Sequence, residues 1–382
     1  MSRTRMAQPQ GWNKKGGSSP CLTVCPVFDT MSASSLQDVL RYLEVRAMSK
    51  EHRVGIADVA ATAGVSVTTV SHVLSGRRPV SDRTKAKVLR VIDELGYRPD
   101  PSARGLRTGR SEAVALVVSD VTNPFYPLMA AGLQEVLQPE GFLISVCVAQ
   151  GTSHDLDTVI RHLLNRRVDG IVMASLNAQE HHFNAITAAG TALVRLSGEL
   201  DPRFGDIVRA DDTGGMADVV THLLERGYRR IGMVNGDPDS SPGRLRLAGY
   251  RRALRDFGLE SDENLITTGP FTRAGGARGA HRLLGMDPMP QALVCGNDLM
   301  AVGALDAIRE RGLSVPGDIA VTGYDDIEAA SLLSPRLTTV HNPAFEIGRA
   351  CARLFLDRLS GSSVEGVREV VLPQKLIVRE ST

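Results

Sequence analysis

Residues 56–76 read IADVAATAGVSVTTVSHVLSG, a stretch in which apolar side chains recur at helical spacing on both sides of one glycine. The first half has a single apolar face, formed by Ile56, Val59, Ala60 and Ala63. Gly64 follows where a left-handed residue would end that helix, and Ser66 is placed to cap a second one. The stretch therefore predicts two short helices joined by a tight turn.

The second helix is expected to have two unlike faces. Val70, Val73 and Leu74 lie together and would pack on the first helix. The opposite face carries small polar and methyl-bearing side chains, namely Val67, Thr68, Ser71 and His72. A third helix, from Ser81 to about Leu95, would close a miniature core with Val88, Val91, Ile92 and Leu95. Such a helix-turn-helix fits the major groove of DNA, although three-helix subdomains without a nucleic-acid partner share the pattern.

The distribution of charge favours DNA binding. The chain has 382 residues and a formal net charge of +1, but residues 51–110 hold 11 Lys or Arg against 6 Asp or Glu. That segment therefore carries +5 (11 − 6), and the rest of the chain sums to −4 (1 − 5). A basic module joined to a mildly acidic body fits a protein of which one part contacts a polyanion.

From residue 111 onward, short β-branched runs alternate with helical stretches. The runs are AVALVVSDV, FLISVCVAQ, DGIVMAS, TALVRLSG, RIGMVNGD, ALVCGND and IAVTGYDD. Runs this apolar are buried on both faces, which predicts parallel sheets covered by helices. Several end in polar residues such as Asp120, Asn297 and Asp325, and ligands of open α/β sheets bind beyond the carboxyl ends of the strands. So many strands favour two α/β lobes with a cleft between them.

Other features exclude several classes of protein. Five scattered cysteines argue against a disulfide framework, and Cys21 and Cys25 have no further metal ligands near them in the sequence. There is no apolar run of about 18 residues and no secretory signal in the first 30. We therefore expect a cytoplasmic protein without a membrane partner, metal or cofactor. Residues 1–52 are expected to be mostly disordered.

Two rival classes stay open on these observations. A solute-binding protein would share an α/β body but needs an export signal and would lack the basic module. An α/β enzyme is the second rival, although the sequence has no phosphate loop, nucleophile elbow or H-E-x-x-H pair. The adjacent His181 and His182 lie in a polar stretch and are interpreted as surface histidines without a partner.

One long string resembles a known family. Residues 55–111, GIADVAATAGVSVTTVSHVLSGRRPVSDRTKAKVLRVIDELGYRPDPSARGLRTGRS, are similar to the DNA-binding headpiece and hinge of the LacI/GalR family of bacterial transcriptional regulators. The likeness continues to KLIVRES and covers roughly 55–382. It implies an all-α helix-turn-helix headpiece and an α/β periplasmic-binding-protein-like body of two doubly wound lobes.

The resemblance also implies domain boundaries. The headpiece would span 53–98, a hinge helix or linker 99–110, and an effector-binding and dimerisation domain 111–382. Within that domain the N-lobe would comprise about 111–210 plus 342–372. The C-lobe would comprise about 211–341 plus the C-terminal residues.

For DNA recognition, the resemblance implies two sets of contacts from the second helix. The residues facing base edges would be Val67, Thr68 and His72, and those near phosphates Ser66, Thr69 and Ser71. In the hinge, Leu106 matches a leucine that dimers of this family insert into the minor groove, and Ala103 and Arg104 would flank it. The alternative is that Leu106 is a linker residue that packs on the lobes. The resemblance therefore implies a homodimer that binds a near-palindromic operator and is associated with the nucleoid. Several relatives carry Arg at the position of His72, so the operator sequence stays open.

For the effector, the resemblance implies seven contacts in the cleft: Phe125, Tyr126, Ser175, Arg246, Phe271, Asn297 and Asp325. For both Phe125 and Tyr126, ordinary core packing is the alternative. Polar groups that accept hydroxyls, together with aromatic faces, suit a sugar or sugar derivative. A purine corepressor is disfavoured by Ser240 and Pro242, because the purine repressor uses an Arg and a Thr there. The function implied is that of a repressor whose operator affinity is controlled allosterically by a small molecule, and whether the ligand releases or promotes DNA binding stays open.

Overall fold

The computed structural model of the chain describes residues 54–76, 78–98, 110–149, 153–174, 178–196, 201, 203–361 and 366–382. They fall into two compact units, divided between Pro99 and Asp100. The expected disordered extension at 1–52 lies outside the described residues. So does the expected hinge at 99–110, apart from Arg110.

The described residues of the first unit contain three helices, α1 (Ile56–Ala63), α2 (Val67–Ser75) and α3 (Asp82–Leu95). The turn between α1 and α2 has the predicted chemistry. Gly64 adopts φ 58° and ψ 40°, the left-handed conformation that glycine enters without a Cβ clash. The hydroxyl of Ser66 accepts a hydrogen bond from the Thr69 amide at 3.1 Å, which caps α2. The chain turns through 105° between the two helices, within the range of helix-turn-helix motifs.

The core of this unit confirms most of the predicted positions. All four predicted apolar residues of α1 and all four of α3 pack in it, together with Val70 and Val73 of α2. The prediction for Leu74 is wrong, because its side chain is 37% exposed. Each residue of an α-helix is rotated by about 100° around the helix axis relative to the one before it. Leu74 therefore points away from the side of α2 on which Val73 packs against the core.

In the part of the chain that the structure describes, no single helix is long and apolar enough to cross a membrane. The one bent pair that meets this test by length and composition is α1 with α2.

In the described residues of the second unit, one lobe is built on six parallel strands. These are β1 (Ala113–Val118), β2 (Leu143–Val148), β3 (Gly170–Ala174), β4 (Ala192–Arg195), β5 (Asp206–Ala210) and β11 (Glu369–Leu372). Their order is β11-β5-β4-β3-β1-β2. The helices of this lobe are α4 (Phe125–Leu137), α5 (Ser153–Asn165), α6 (Glu180–Ala188) and α12 (Ala344–Leu359). The buried residues form two clusters, one on each face of the sheet, as a doubly wound arrangement requires.

The other lobe has four parallel strands in the order β7-β6-β8-β9. They are β6 (Ile231–Asn235), β7 (Ile266–Thr268), β8 (Ala292–Cys295) and β9 (Ala320–Thr322). Its helices are α7 (Asp212–Glu225), α8 (Ser241–Asp256), α9 (Arg273–Leu284), α10 (Asp298–Glu310) and α11 (Glu328–Leu332), with a 3₁₀ turn at Glu263–Leu265. A two-stranded antiparallel ladder joins β10 (Thr339–His341) to β12 (Lys375–Ile377).

The chain passes between the lobes three times. The first crossover joins β5 to α7 through Asp211, the second joins β10 to α12 through 342–343, and the third joins β11 to β12 through 373–374. In both sheets the first strand of the lobe lies between the second and the third, so the strand order reverses there. Ligands of open α/β sheets bind at such reversals.

Each of the seven apolar runs expected from the sequence contains a strand. The second run is not buried on both faces as expected: β2 forms an edge of its sheet, and its Leu143 and Val146 side chains are 69% and 43% exposed. Five further strands, β5, β7, β10, β11 and β12, were not predicted, because none of them lies in a sustained apolar run.

Two glycines allow α4 and α12 to approach closely. A Cβ added to Gly132 would lie 2.0 Å from the carbonyl oxygen of Phe345, and one added to Gly348 would lie 2.1 Å from that of Met129. Both obstacles are backbone atoms of a facing helix, so neither can rotate away.

We therefore expect Gly132→Ala to push α4 and α12 apart. Overpacking of this kind costs about 1 to 3 kcal/mol, and the free energy of unfolding of the body should fall by that amount in a denaturant titration. Ala131→Ser, at an exposed position of the same helix, is the matched control and should leave the transition midpoint almost unchanged. Equal effects of the two substitutions would contradict the close approach.

Candidate functional site

The outward face of α2 carries the predicted DNA-contacting side chains. Val67 is 45% exposed, although it is apolar. Ser66 and Thr68 are also exposed, and Thr69, Ser71 and His72 are partly so. Their role in binding DNA stays a prediction, as it does for Ala103, Arg104 and Leu106, which lie outside the described residues.

The capping interaction limits what two of these residues can do. The hydroxyl oxygens of Ser66 and Thr69 lie 2.9 Å apart, and Ser66 also accepts the Thr69 amide hydrogen. Both side chains therefore hold the first turn of α2 in place, and any phosphate contact would use their remaining hydrogen-bonding capacity. Val67 and Thr68, between them, have no such structural task.

A cavity of about 450 Å³ lies between the two lobes of the body, where strands of both sheets end. This size is within the range of small-molecule pockets, about 300 to 1,000 Å³. Six of the seven predicted effector residues line it: Phe125, Tyr126, Arg246, Phe271, Asn297 and Asp325. The seventh, Ser175, lies outside the described residues. The structure thus brings together residues up to 200 positions apart (325 − 125).

Arg246, on α8, is held by three polar partners in the cavity wall. Its Nε donates to Asp212 Oδ1 at 2.9 Å, and its Nη1 donates to the Gly296 carbonyl at 2.6 Å. Its Nη2 lies 3.6 Å from Asp325 Oδ1. Burial disfavours the charge, but Asp212 and Asp325 outweigh burial and raise the pKa of Arg246. The guanidinium therefore stays charged, yet two carboxylates offset that charge.

Asp325 connects Arg246 to the other lobe. It accepts a hydrogen bond from the Asn342 amide at 3.1 Å, and the Asn123 side chain also hydrogen-bonds to it. Burial raises the pKa of Asp325 to about 6, although Arg246 acts in the opposite direction. Its backbone has φ 106°, a conformation uncommon outside glycine, which aims the carboxylate at the cleft.

Aromatic rings form the apolar part of the wall. Phe125 and Tyr126 meet edge to face with centroids 5.5 Å apart, and the Phe271 ring lies 5.8 Å from the Arg246 guanidinium carbon. Burial, followed by the Asp325 charge, raises the pKa of Tyr126 to about 12. Tyr126 therefore keeps its hydroxyl proton at neutral pH and can act as a hydrogen-bond donor.

Asn297 has a structural task in addition to any contact with a ligand. Its Oδ1 accepts the Met300 amide hydrogen at 2.9 Å and caps α10, while its Nδ2 donates to the Phe271 carbonyl at 3.3 Å. One amide hydrogen remains available for a ligand.

Four functional candidates were missed by sequence reasoning: Asn123, Asp212, Tyr324 and Asn342. Asp212 follows β5, so the rule that polar residues end strands would have found it if that strand had been predicted. Tyr324 precedes Asp325 in the sequence, but nothing there indicates that its ring centroid lies 3.8 Å from the Arg246 guanidinium carbon.

The charge balance of the cavity is negative. Four aspartates line it (Asp120, Asp212, Asp237 and Asp325), against Arg209 and Arg246. Both arginines already have carboxylate partners within the protein, because Arg209 donates to Glu369 at 2.6 Å. The wall therefore has hydrogen-bonding groups for a polyhydroxylated ligand but no unpaired cation, among its described residues, for an anionic one.

Outside this cavity, Asp157, His181 and His182 bring their ligand atoms within 4.8 Å of one another. The interpretation of both histidines as unpartnered is wrong, because both Nε2 atoms lie 3.1 Å from Asp157 Oδ1. His181 does lie at the surface, with 54% of its side chain exposed, whereas His182 is only 1% exposed. The Gln179 amide donates to His182 Nδ1 at 2.9 Å, so the neutral ring carries its proton on Nε2. That tautomer offers no Nε2 lone pair to a metal, and the cluster fits a link between α5 and α6.

Models of two protein families match the chain. One describes bacterial regulatory proteins of the lacI family and matches residues 55–100, and the other describes a periplasmic binding protein-like domain and matches residues 220–382. Together they confirm the fold class expected from the sequence.

Curated relatives match over most of their length. The ribose operon repressor of Escherichia coli K12 is 34% identical over 83% of this chain and 96% of its own. The HTH-type transcriptional repressor PurR of Aliivibrio salmonicida is 33% identical over 80% and 92%, respectively.

Two solved structures have a similar fold. The lac repressor dimer bound to operator and the anti-inducer ONPF superimposes with a TM-score of 0.77 at 27% identity, covering 87% of this chain and 99% of that one. The regulator CelR in complex with cellobiose has a TM-score of 0.67 at 35% identity, covering 86% and 100%.

The raised pKa of Asp325 has a testable consequence for stability. The pKa of Asp325 is about 6 in the folded state, against 3.8 for an unperturbed aspartate. Between these two pH values the folded protein therefore binds one proton more than the unfolded chain. Protonation of Asp325 therefore stabilises the folded state fully below pH 3.8. This stabilisation is lost as the pH rises through 6, and the free energy of unfolding falls by about 3 kcal/mol.

We expect Asp325→Asn to remove this dependence, because asparagine tolerates the same backbone conformation and does not titrate. Denaturant titrations of wild type and variant between pH 4 and 7 should show the free energy of unfolding of the wild type falling relative to the variant. Asp256→Asn, on the surface of α8, controls for the loss of one negative charge. Parallel wild-type and Asp325→Asn profiles would refute the assignment.

Proposed function

The chain belongs to the lacI family of bacterial regulatory proteins, and on that premise we propose that it is a transcriptional repressor controlled by a neutral sugar or sugar derivative. Members of this family are transcriptional regulators rather than enzymes. The observation that carries the proposal is the combination, in one chain, of an exposed helix-turn-helix face and a polar and aromatic cavity between two lobes.

In the proposed complex with DNA, α2 enters the major groove. Val67 and Thr68 present methyl groups suited to thymine, and His72 offers a ring nitrogen to a base edge. Ser66, Thr69 and Ser71 lie near phosphates. The hinge, proposed at 99–110, places Leu106 in the minor groove with Ala103 and Arg104 beside it.

The proposed assembly is a homodimer on a near-palindromic operator, because two hinge segments must meet at the centre of the site. The lac repressor dimer on its operator supports this proposal. Residues 53–98 would form the headpiece and 111–382 the effector-binding and dimerisation domain. A repressor of this kind would work in the cytoplasm, on the nucleoid.

The chemistry of the cavity supports a neutral, polyhydroxylated effector. Arg246 and Asp325 can exchange hydrogen bonds with vicinal hydroxyls, Tyr126 can donate one, and the aromatic faces suit the C–H surface of a pyranose or furanose. The ribose operon repressor and the CelR–cellobiose complex are relatives whose names point to sugars. PurR is 33% identical to this chain, nearly as much as the ribose operon repressor, so overall similarity does not distinguish a sugar from a purine. The argument against a purine effector therefore rests on Ser240 and Pro242.

The proposed control is allosteric. An effector that contacts both lobes changes their closure and hence the spacing of the two hinge segments in a dimer. Coupling of this kind is typically about 1 to 3 kcal/mol, and it is reciprocal, so DNA must change the affinity for the effector by the same factor. The direction depends on which state the effector prefers.

We expect the purified protein to shift DNA taken from the promoter of its own gene or of the neighbouring operon. Log affinity should fall with log salt concentration at a slope of about −0.9 per phosphate contact. The double variant Thr68→Ala/His72→Ala should lose about 1 to 3 kcal/mol per contact on the operator and little on random DNA, because it removes base contacts and leaves the phosphate contacts in place. Equal losses on both DNAs would contradict direct recognition by α2.

We further expect neutral sugars to bind and phosphorylated ones to fail. Calorimetric titration with ribose, cellobiose and ribose 5-phosphate tests this, since the wall is acidic and its two arginines are paired. Arg246→Lys should weaken binding of the neutral sugar at least about tenfold, because a lysine cannot reproduce the planar fork of donors. Tighter binding of the phosphorylated sugar would overturn the effector class.

A further inference from the structure

The Arg246 cluster reaches all three crossovers between the lobes. Asp212, which accepts a hydrogen bond from Arg246 at 2.9 Å, begins the helix that follows the first crossover. Asp325 lies beside Arg246 and accepts a hydrogen bond at 3.1 Å from Asn342, in the second crossover. Tyr324 packs its ring on Arg246 and links to the third crossover through its hydroxyl.

That third link is made by Gln374. The Tyr324 hydroxyl donates to Gln374 Oε1 at 2.5 Å, across 50 residues of sequence. Gln374 follows β11 of one sheet and directly precedes β12, so it belongs to the covalent connection between the lobes. Unlike Asp212, Asp325 and Asn342, it does not line the cavity. Tyr324 connects Gln374 to Arg246, which does line the cavity.

The amide nitrogen of Gln374 takes no part in this link. Its Nε2 is buried and has no hydrogen-bond partner among the described residues. A buried donor without a partner is unfavourable, and a modest shift of the third crossover would relieve that cost. The link therefore leaves one buried donor of Gln374 free to take a partner when the third crossover shifts.

We propose that Gln374 is a positioning residue that couples effector occupancy to operator binding, through the Tyr324 hydroxyl and the Arg246 cluster. The proposal rests on the proposed function, since it assigns a transmission step to the same cavity. An effector hydroxyl that engages Arg246 changes how the guanidinium lies on the Tyr324 ring. The hydroxyl at the far end of that ring then moves with the third crossover, and the closure of the lobes follows.

A double-mutant cycle tests the link. The variants of the full-length protein are Gln374→Met, which removes the acceptor, Tyr324→Phe, which keeps the ring and removes the donor, and the pair together. Lys375→Gln, an exposed neighbour in the same segment, is the matched control. For each variant, the operator Kd is measured without sugar and at saturating ribose or cellobiose, and the sugar Kd is measured on the protein alone.

We expect each single variant to reduce the sugar-induced change in operator Kd about fivefold or more, and the double variant to be no worse than either single variant. Gln374→Met should keep its sugar Kd within about threefold of wild type, and the control should respond like wild type. A merely structural role would instead lower sugar and operator affinity together.

Three results would overturn the proposal: additive effects of the two substitutions, an unchanged sugar response in both single variants, or a parallel loss of sugar affinity in Gln374→Met. Should Gln374→Met fail to fold, Tyr324→Phe tests the same bond from its other end. A wild-type protein that binds no operator, or whose operator Kd neither sugar changes, overturns the proposed function itself. That outcome is visible before any variant is compared.

Discussion

The organisation of the body depends on one buried cation. A guanidinium removed from water is costly unless its charge is offset and its donors are satisfied. Arg246 meets this condition with Asp212, Asp325 and the Gly296 carbonyl, which come from three separate parts of the chain. The lobes can therefore enclose a polar cavity only while the segments that carry these groups stay in register. The stability of the crossovers between the lobes and the shape of the ligand cavity both depend on the same ion cluster.

Local chemistry was well predicted from the sequence because the interactions that determine it lie within a few residues. The helix at Ile56–Ala63 follows from its apolar spacing and from Gly64, which accepts a left-handed backbone at little cost. The cap at Ser66 needs only the amide of Thr69, three positions later. The seven predicted strands were found for the same reason: each lies in a continuous apolar run.

Long-range chemistry was harder to predict. The contact between Tyr324 and Arg246 joins residues 78 positions apart (324 − 246), and the resemblance to a family supplied Arg246 but not the ring beneath it. Short strands such as β7 and β12 are held by their neighbours rather than by their own residues, so periodicity carries little information about them. His182 was misinterpreted because its neighbours in sequence are polar, whereas Asp157, from another helix, covers it.

The three crossovers have a mechanical consequence. Two bodies joined by a single strand can open, twist and slide independently, whereas three neighbouring connections must bend together. Twisting one lobe against the other would stretch one connection while compressing another. Opening and closing of the cleft is therefore the motion that the three connections resist least. A contact made anywhere in the cleft therefore acts on this same opening motion.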